Sequence, residues 1–559
     1  MGPSSRGDER SLAFLLPSGT LLRFVVLLLC VITTTTRTAD SYVLAKLARE
    51  WGGGGPGCLQ VWWQYSRAIW GVEGATVREL LDGHFGCFFA PNPLPLPTPL
   101  FVLLILLVLV LVQYFLAPVL RIRRRRLVRL RLDSIPGLDR TLRECCALAG
   151  VRVVFLLDVL NPRVGGVAFG LPGRRYVALN RGLLVLAGND PESFRAIVLH
   201  ELAHVRNRDI DLTTLTLAVW RSFVFGVLVP VGVLLLFDDD FADGYDPWLT
   251  VWQLVLTSGI ALLVRNSVLR SREHHADLRS VHWAGSAAGL LGVLDRKDHD
   301  RWAHRWLRLH PSPAQRRDAV NGWHPLLRST AGEFLALGLV AGLGWPTVLQ
   351  QLALPELLAE EVRYAGWQLA ALTVPVGLVL AFAVWRSVLF ARMSRGRSRG
   401  TALGTAFAAG LVLGVVVTPV HSALGIFPLA LEWELELLWC FAVVGGCWLT
   451  TGWIALTAAA WARVTRAPLA PVAAVLGAAF GAALLTSWLA PLLRARLPLQ
   501  TAETPAPALV HRALVDLGAL LDPATALGRY LLAASVIVVG FPLLGFVTGL
   551  GLRAAARNR

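Results

Sequence analysis

The chain has 559 residues, of which 55% are hydrophobic and 16% charged, with a mean hydropathy of +0.57 and a net charge of +16. A soluble domain carries about 25% charged residues, so this composition excludes an ordinary water-soluble globule; the apolar residues gather in runs long enough to cross a bilayer as helices. The basic excess is not the mark of a nucleic-acid binder, because the arginines stand at the ends of those runs, as in Arg121 to Arg126, Arg392 to Arg399 and Arg553 to Arg559, where the positive-inside bias places them.

The first apolar run, Leu21 to Thr36, is followed by no A-x-A cleavage signal and is predicted to be an uncleaved span. The second, Pro99 to Leu120, ends in the Arg121 to Arg126 cluster, which sets its C-terminal side as cytoplasmic and residues 37–98 as an outside loop. That loop carries Gly52 to Gly55, a Pro-rich stretch and two cysteines, Cys58 and Cys87, candidates for a disulfide in an oxidising compartment. Residues Arg121 to Asp211 hold no span; Val151 to Leu156, Gly166 to Phe169 and Tyr176 to Leu179 predict short strands, and Asp190-Pro191-Glu192-Ser193 opens a helix. Spans over Leu215 to Phe237 and Trp248 to Val264 flank an acidic turn, Asp238 to Asp246, after which Arg265 to Arg328 is polar again. Six more runs follow, near 334–349, 367–390, 401–427, 437–461, 469–493 and 530–552. Together they predict a mostly α polytopic membrane protein with about ten transmembrane helices and both termini inside. The expected domains are an N-terminal two-span hairpin (1–120), a cytoplasmic domain interrupted by the 215–264 hairpin (121–328), and a six-span C-terminal membrane domain (329–559).

Residues His200-Glu201-Leu202-Ala203-His204 form an H-E-x-x-H pattern in a helical segment. Residues four apart share a helix face, so both imidazoles can reach one Zn2+ ion, with Glu201 beside it as general base and acid. A zinc site of this kind needs a third protein ligand and leaves one position for water. Glu273, in Arg272-Glu273-His274-His275-Ala276-Asp277, is the candidate, and Asp277, four residues on, is expected to orient a ligand imidazole, His200. His274 and His275 lie off that face and are expected to be spectators. His84, His299 and His421 stand alone, and Asp209 reads equally well as a helix-terminal or salt-bridging residue. Both half-sites fall on the cytoplasmic side by the charge rule, because the two intervening spans return the chain to the compartment it left.

These segments resemble the HtpX-like and CAAX-prenyl-protease-like membrane metallopeptidases. The likeness lies in His200 to Asp209 (HELAHVRNRD), two spans, then Glu273-x-x-Ala276-Asp277. Val167-Ala168-Phe169 resembles the family's N-A-F strand with Val167 in place of Asn, Arg181 to Leu184 its G-L-L element, and His310-Pro311-Ser312-Pro313 with Arg316 its H-P-x-x-x-x-R segment. The resemblance covers residues 121–328 and the first four spans. It implies a small α+β zincin-like cytoplasmic domain of the gluzincin type, with one zinc on His200, His204 and Glu273. It also implies that Val167, Ala168 and Phe169 bind substrate backbone as an edge strand and that His310 stabilises the oxyanion.

The expected function is a zinc endopeptidase of a bacterial-type cell membrane, with a protein or peptide substrate, the lipid bilayer and no nucleic acid as partners; the sequence carries no signature of an oligomeric state. Two alternatives stay open at this level. One is a BlaR/MecR-type sensor-transducer cutting a cytoplasmic regulator. The other is a transporter or scaffold with a structural zinc site, against which stands the scarcity of intramembrane charges in the C-terminal runs.

Overall fold

The structure, a computed structural model, describes residues 19–38, 98–130, 137–237, 247–295, 310–322, 329–358, 365–393, 400–417, 420–422, 425–427, 433–462, 470–501 and 539–548. Cys58, Cys87 and the acidic turn 238–246 fall outside these residues. Among the described residues the protein is mostly helical with a small mixed sheet, and seven helices are long and apolar enough to cross a membrane. Shorter apolar helices at Ala331–Gly344, Gly400–Val416 and Val539–Thr548 overlap three of the other predicted runs. The chain divides into two compact units, residues 18–35 with 102–328, and residues 1–17 and 36–101 with 329–559.

In the unit containing the H-E-x-x-H segment, helices α1 (Gly19–Thr38) and α2 (Thr98–Arg125) are two of the membrane-length helices. Strand β1 (Val128–Arg129), helix α3 (Leu138–Ala149) and strands β2 (Val154–Asp158), β3 (Gly166–Leu171) and β4 (Arg174–Asn180) follow. The sheet order is β1-β2-β4-β3, with β2 parallel to β4 and the other pairs antiparallel, which leaves β3 at an edge. Helix α4 (Arg181–Asn189) leads into α5 (Pro191–Arg206). The start of α5 is set by Asp190, whose side chain accepts the Ser193 N–H at 3.0 Å, and by Pro191 in the first turn, where no N–H is needed. Val198, Leu199 and Leu202 of α5 are wholly buried against Leu142, Cys145, Val177, Leu179 and Leu183. Each such side chain contributes about 1.5–3 kcal/mol, so the helix that carries both histidines is among the most firmly held in the unit.

Helix α6 (Asp209–Phe223), a π-helical turn (Val224–Leu228) and α7 (Val229–Phe237) continue one span. The wide turn precedes Pro230, which has no N–H to give to the preceding turn. The next helix, α8, runs without a break from Pro247 to Ala284, twenty residues beyond the predicted end at Val264. Residues 265–284 hold no Gly or Pro, so the change of solvent does not end the helix; Gly285, at φ +72°, does. Helices α9 (Ala288–Asp295) and α10 (Pro313–Gly322) complete the described part of this unit.

The other unit contains α11 (Ala331–Leu358), α12 (Ala365–Met393), α13 (Gly400–Val417), the hairpin β5 (Val420–Ser422) and β6 (Gly425–Phe427), α14 (Trp433–Trp461) and α15 (Ala470–Thr501). The run predicted as one span to Phe427 is therefore a helix over Gly400–Val417 with the β5–β6 pair beyond it. Gly338 and Gly342 of α11 face Gly410 and Gly414 of α13 so closely that a Cβ on any of them would overlap a carbonyl oxygen of the opposite helix. Small residues four apart let helix backbones touch in this way.

Candidate metal and active site

Helix α5 presents His200, Glu201 and His204, and α8 presents Glu273 and Asp277, all buried. His200 Nε2 and His204 Nε2 are 3.2 Å apart, His200 Nε2 is 3.7 Å from Glu273 Oε2, and His204 Nε2 is 3.6 Å from Glu273 Oε1. A tetrahedral zinc with bonds of about 2.0–2.1 Å separates its donors by about 3.3 Å, so this donor set fits the ion. Among the described residues these three form the one group able to hold a metal; His274 and His275 are not part of it.

The other face of each imidazole is also occupied. His200 Nδ1 stands 2.9 Å from Asp277 Oδ1, and His204 Nδ1 stands 3.3 Å from Asp209 Oδ2. Both Nε2 atoms are thereby turned inward, the arrangement in which carboxylates fix the tautomer of a ligand histidine. Asp209 is the partner that sequence reasoning left undecided. Its position in the first turn of α6, five residues after His204, was the available signal. Asp277, with a fully buried side chain, also accepts Arg316 Nε of α10 at 2.7 Å. Arg316 Nη2 comes within 3.5 Å of His200 Nδ1, so the H-P-x-x-x-x-R segment reaches the site through its arginine. Arg272 lies on Glu273 (Nη2 to Oε1, 3.0 Å) and donates from Nη1 to Thr213 Oγ1 at 2.8 Å. His310 Nδ1 is 3.7 Å from Glu273 Oε2, on an exposed side chain at the edge of the group.

Glu201 is not among the three donors. Its Oε2 accepts the Ala168 N–H of β3 at 2.8 Å, which sets it between the metal group and the free edge of the sheet. Gly166 allows this approach, since a Cβ there would stand 3.1 Å from Glu201 Cγ. Of the three strand residues singled out by sequence, Val167 faces solvent, while Phe169 is buried and stacks on Tyr176 with ring centroids 5.4 Å apart. Phe169 thus serves the core, and the strand's free edge is offered by backbone.

Burial alone would lower the His200 pKa, but hydrogen bonds to Asp277 and Glu273 outweigh it and push the value up to about 9. A protonated imidazole cannot ligate, so metal uptake has to release that proton. Apparent metal affinity should rise with pH, by up to tenfold per unit, and level off above about pH 9. Calorimetric zinc titrations in two buffers of different ionisation enthalpy check this, and a pH-independent affinity between about pH 7 and pH 8.5 would contradict it.

Residues 157–324 match the family described as Peptidase family M48. Curated relatives named "Protease HtpX homolog" occur in Pelotomaculum thermopropionicum, 27% identical over 170 residues (30% of this chain, 60% of the relative), and in Aquifex aeolicus, 25% identical over 151 (26% and 48%). A third, from Listeria monocytogenes, is 24% identical over 187 residues (30% and 60%). The chain thus spans about half to three fifths of the length of these relatives. No solved structure matches it.

Proposed function

On the premise that the chain carries a peptidase domain of family M48 in an HtpX-like multi-pass membrane protein, we propose that it is a zinc-dependent endopeptidase. It would cut membrane proteins or peptides at the cytoplasmic face of the cell membrane, in quality control or processing. The observation that carries this reading is the division of labour at the site: His200, His204 and Glu273 converge as donors, while Glu201 stands beside them, tied to an edge strand. A structural metal site has no use for such a carboxylate.

Bound zinc would supply Lewis-acid polarisation of the scissile carbonyl and acidify the attacking water. The Glu201 carboxylate takes the proton of that water and returns it to the leaving amide nitrogen. The free edge of β3 pairs with an extended substrate backbone, as edge strands do. His310, exposed next to Glu273, is the side chain available to the developing oxyanion. Asp277 and Asp209, each at the Nδ1 of one imidazole, keep the rings rotated with Nε2 toward the metal position. The reading of a cytoplasmic site is supported by the arginines that end α2, Arg123, Arg124 and Arg125.

The test is cleavage of an unfolded membrane protein by the full-length chain in detergent. Chelation is expected to stop cleavage and stoichiometric zinc to restore it; cleavage that persists in the metal-stripped protein would overturn the reading.

A further inference from the structure

Two residues after Asp209, the same first turn of α6 carries Asp211, which makes a second connection toward the substrate edge. Arg175, largely buried on β4, donates from Nη1 to the Gly170 carbonyl of β3 at 2.8 Å and to Asp211 Oδ1 at 3.0 Å, and from Nη2 to Asp211 Oδ2. Asp211 Oδ1 also accepts the Tyr114 hydroxyl of α2 at 2.6 Å. A continuous chain of hydrogen bonds thus runs from membrane helices α2 and α6 through one guanidinium to the edge strand. Gly170 sits at φ +124°, where a Cβ would overlap the Arg174 carbonyl, so only glycine places its carbonyl there.

An edge strand is held by hydrogen bonds on one side only. β3 has β4 on that side and Glu201 on the other, at Ala168 N–H. Arg175 supplies a further attachment near the hairpin end. We propose that Arg175 is a positioning residue for peptide substrates. It holds β3 at the distance from α5 at which an extended backbone can pair beside Glu201, with Asp211 and Tyr114 as its anchor in the membrane helices. Arg175 contacts none of the three metal donors, and a planar bidentate fork is what a lysine cannot reproduce. The inference rests on the reading that β3 receives the substrate.

The experiment uses full-length protein in detergent and a quenched fluorescent peptide that the wild type cleaves. Arg175→Met is expected to raise KM about 10- to 100-fold, to retain zinc and most of kcat, and to speed amide hydrogen exchange in 166–171 but not in 191–206. Arg175→Lys should recover part of the KM, and Tyr114→Phe should shift it a few-fold. If Arg175→Met does not fold, Arg175→Lys carries the same test with a smaller rise. An unchanged KM despite faster exchange in β3 would overturn the inference, and so would joint loss of zinc and cleavage in both Arg175 variants, the sign of a merely structural role. A wild type that binds zinc and cleaves no peptide would instead sink the peptidase reading, and this inference with it.

Discussion

Glu201→Gln is expected to lower peptide cleavage by about 10²- to 10⁴-fold, the range of a lost general acid–base, while zinc stays bound at one per chain. The two effects separate because the donors and the base are different residues. Glutamine keeps the shape of the side chain, and its carbonyl oxygen can still accept the Ala168 N–H that Glu201 Oε2 now takes at 2.8 Å. It therefore leaves β3, Gly166 and the imidazoles undisturbed. What it removes is the ability to accept the proton of the attacking water. Metal analysis, thermal unfolding and single-turnover cleavage on the same preparation check all three expectations. Cleavage at the wild-type rate would remove Glu201 from the mechanism; loss of zinc would make it a donor and invalidate the division of labour.

The second large effect is expected at Asp277, four residues after Glu273, which joins a metal-donor imidazole to a mostly buried arginine. Its carboxylate meets His200 Nδ1 at 2.9 Å and the Arg316 guanidinium, in a place where its own side chain has no exposed surface. Asp277→Asn keeps the volume and removes the charge. Arg316, itself mostly buried, is then left without its counter-ion, and breaking a buried pair on one side costs about 3–5 kcal/mol. His200 exchanges its carboxylate partner for a neutral amide, a weaker acceptor at Nδ1, and loss of such a carboxylate typically weakens metal binding about 10- to 100-fold. The variant should therefore melt earlier than wild type and need more free zinc for half-maximal loading. Asp277→Asn combined with Arg316→Met, which removes both charges, should recover much of the stability and little of the zinc affinity. Equal recovery of both would mean that Asp277 acts on stability alone, and no loss of either would place the pair outside the site.

Some of this molecule is determined by its sequence alone, because the relevant physics is local. Apolar runs of membrane length, a strand pattern over 151–179, and Asp190 and Pro191 as a helix start follow from side-chain period and backbone chemistry. So does the common face of His200 and His204, since residues four apart on a helix are neighbours whatever surrounds them. Glu273 and Asp277 share a face for the same reason. Helix ends are less legible: α8 runs past the end of its apolar stretch because polarity does not break a helix, and the apolar run predicted as one span to 427 holds a strand pair beyond α13.

Only the tertiary structure decided which groups meet across long separations. Nothing local assigns Asp209 to His204, Arg316 to Asp277, or the Ala168 N–H to Glu201. Nor does it place Arg175 between Gly170 and an aspartate at the start of a membrane helix. A charged residue in a sequence shows that it needs a partner once buried. Which partner it finds is settled by how α5 and α8 pack and where the edge of the sheet falls, and those are properties of the assembled unit.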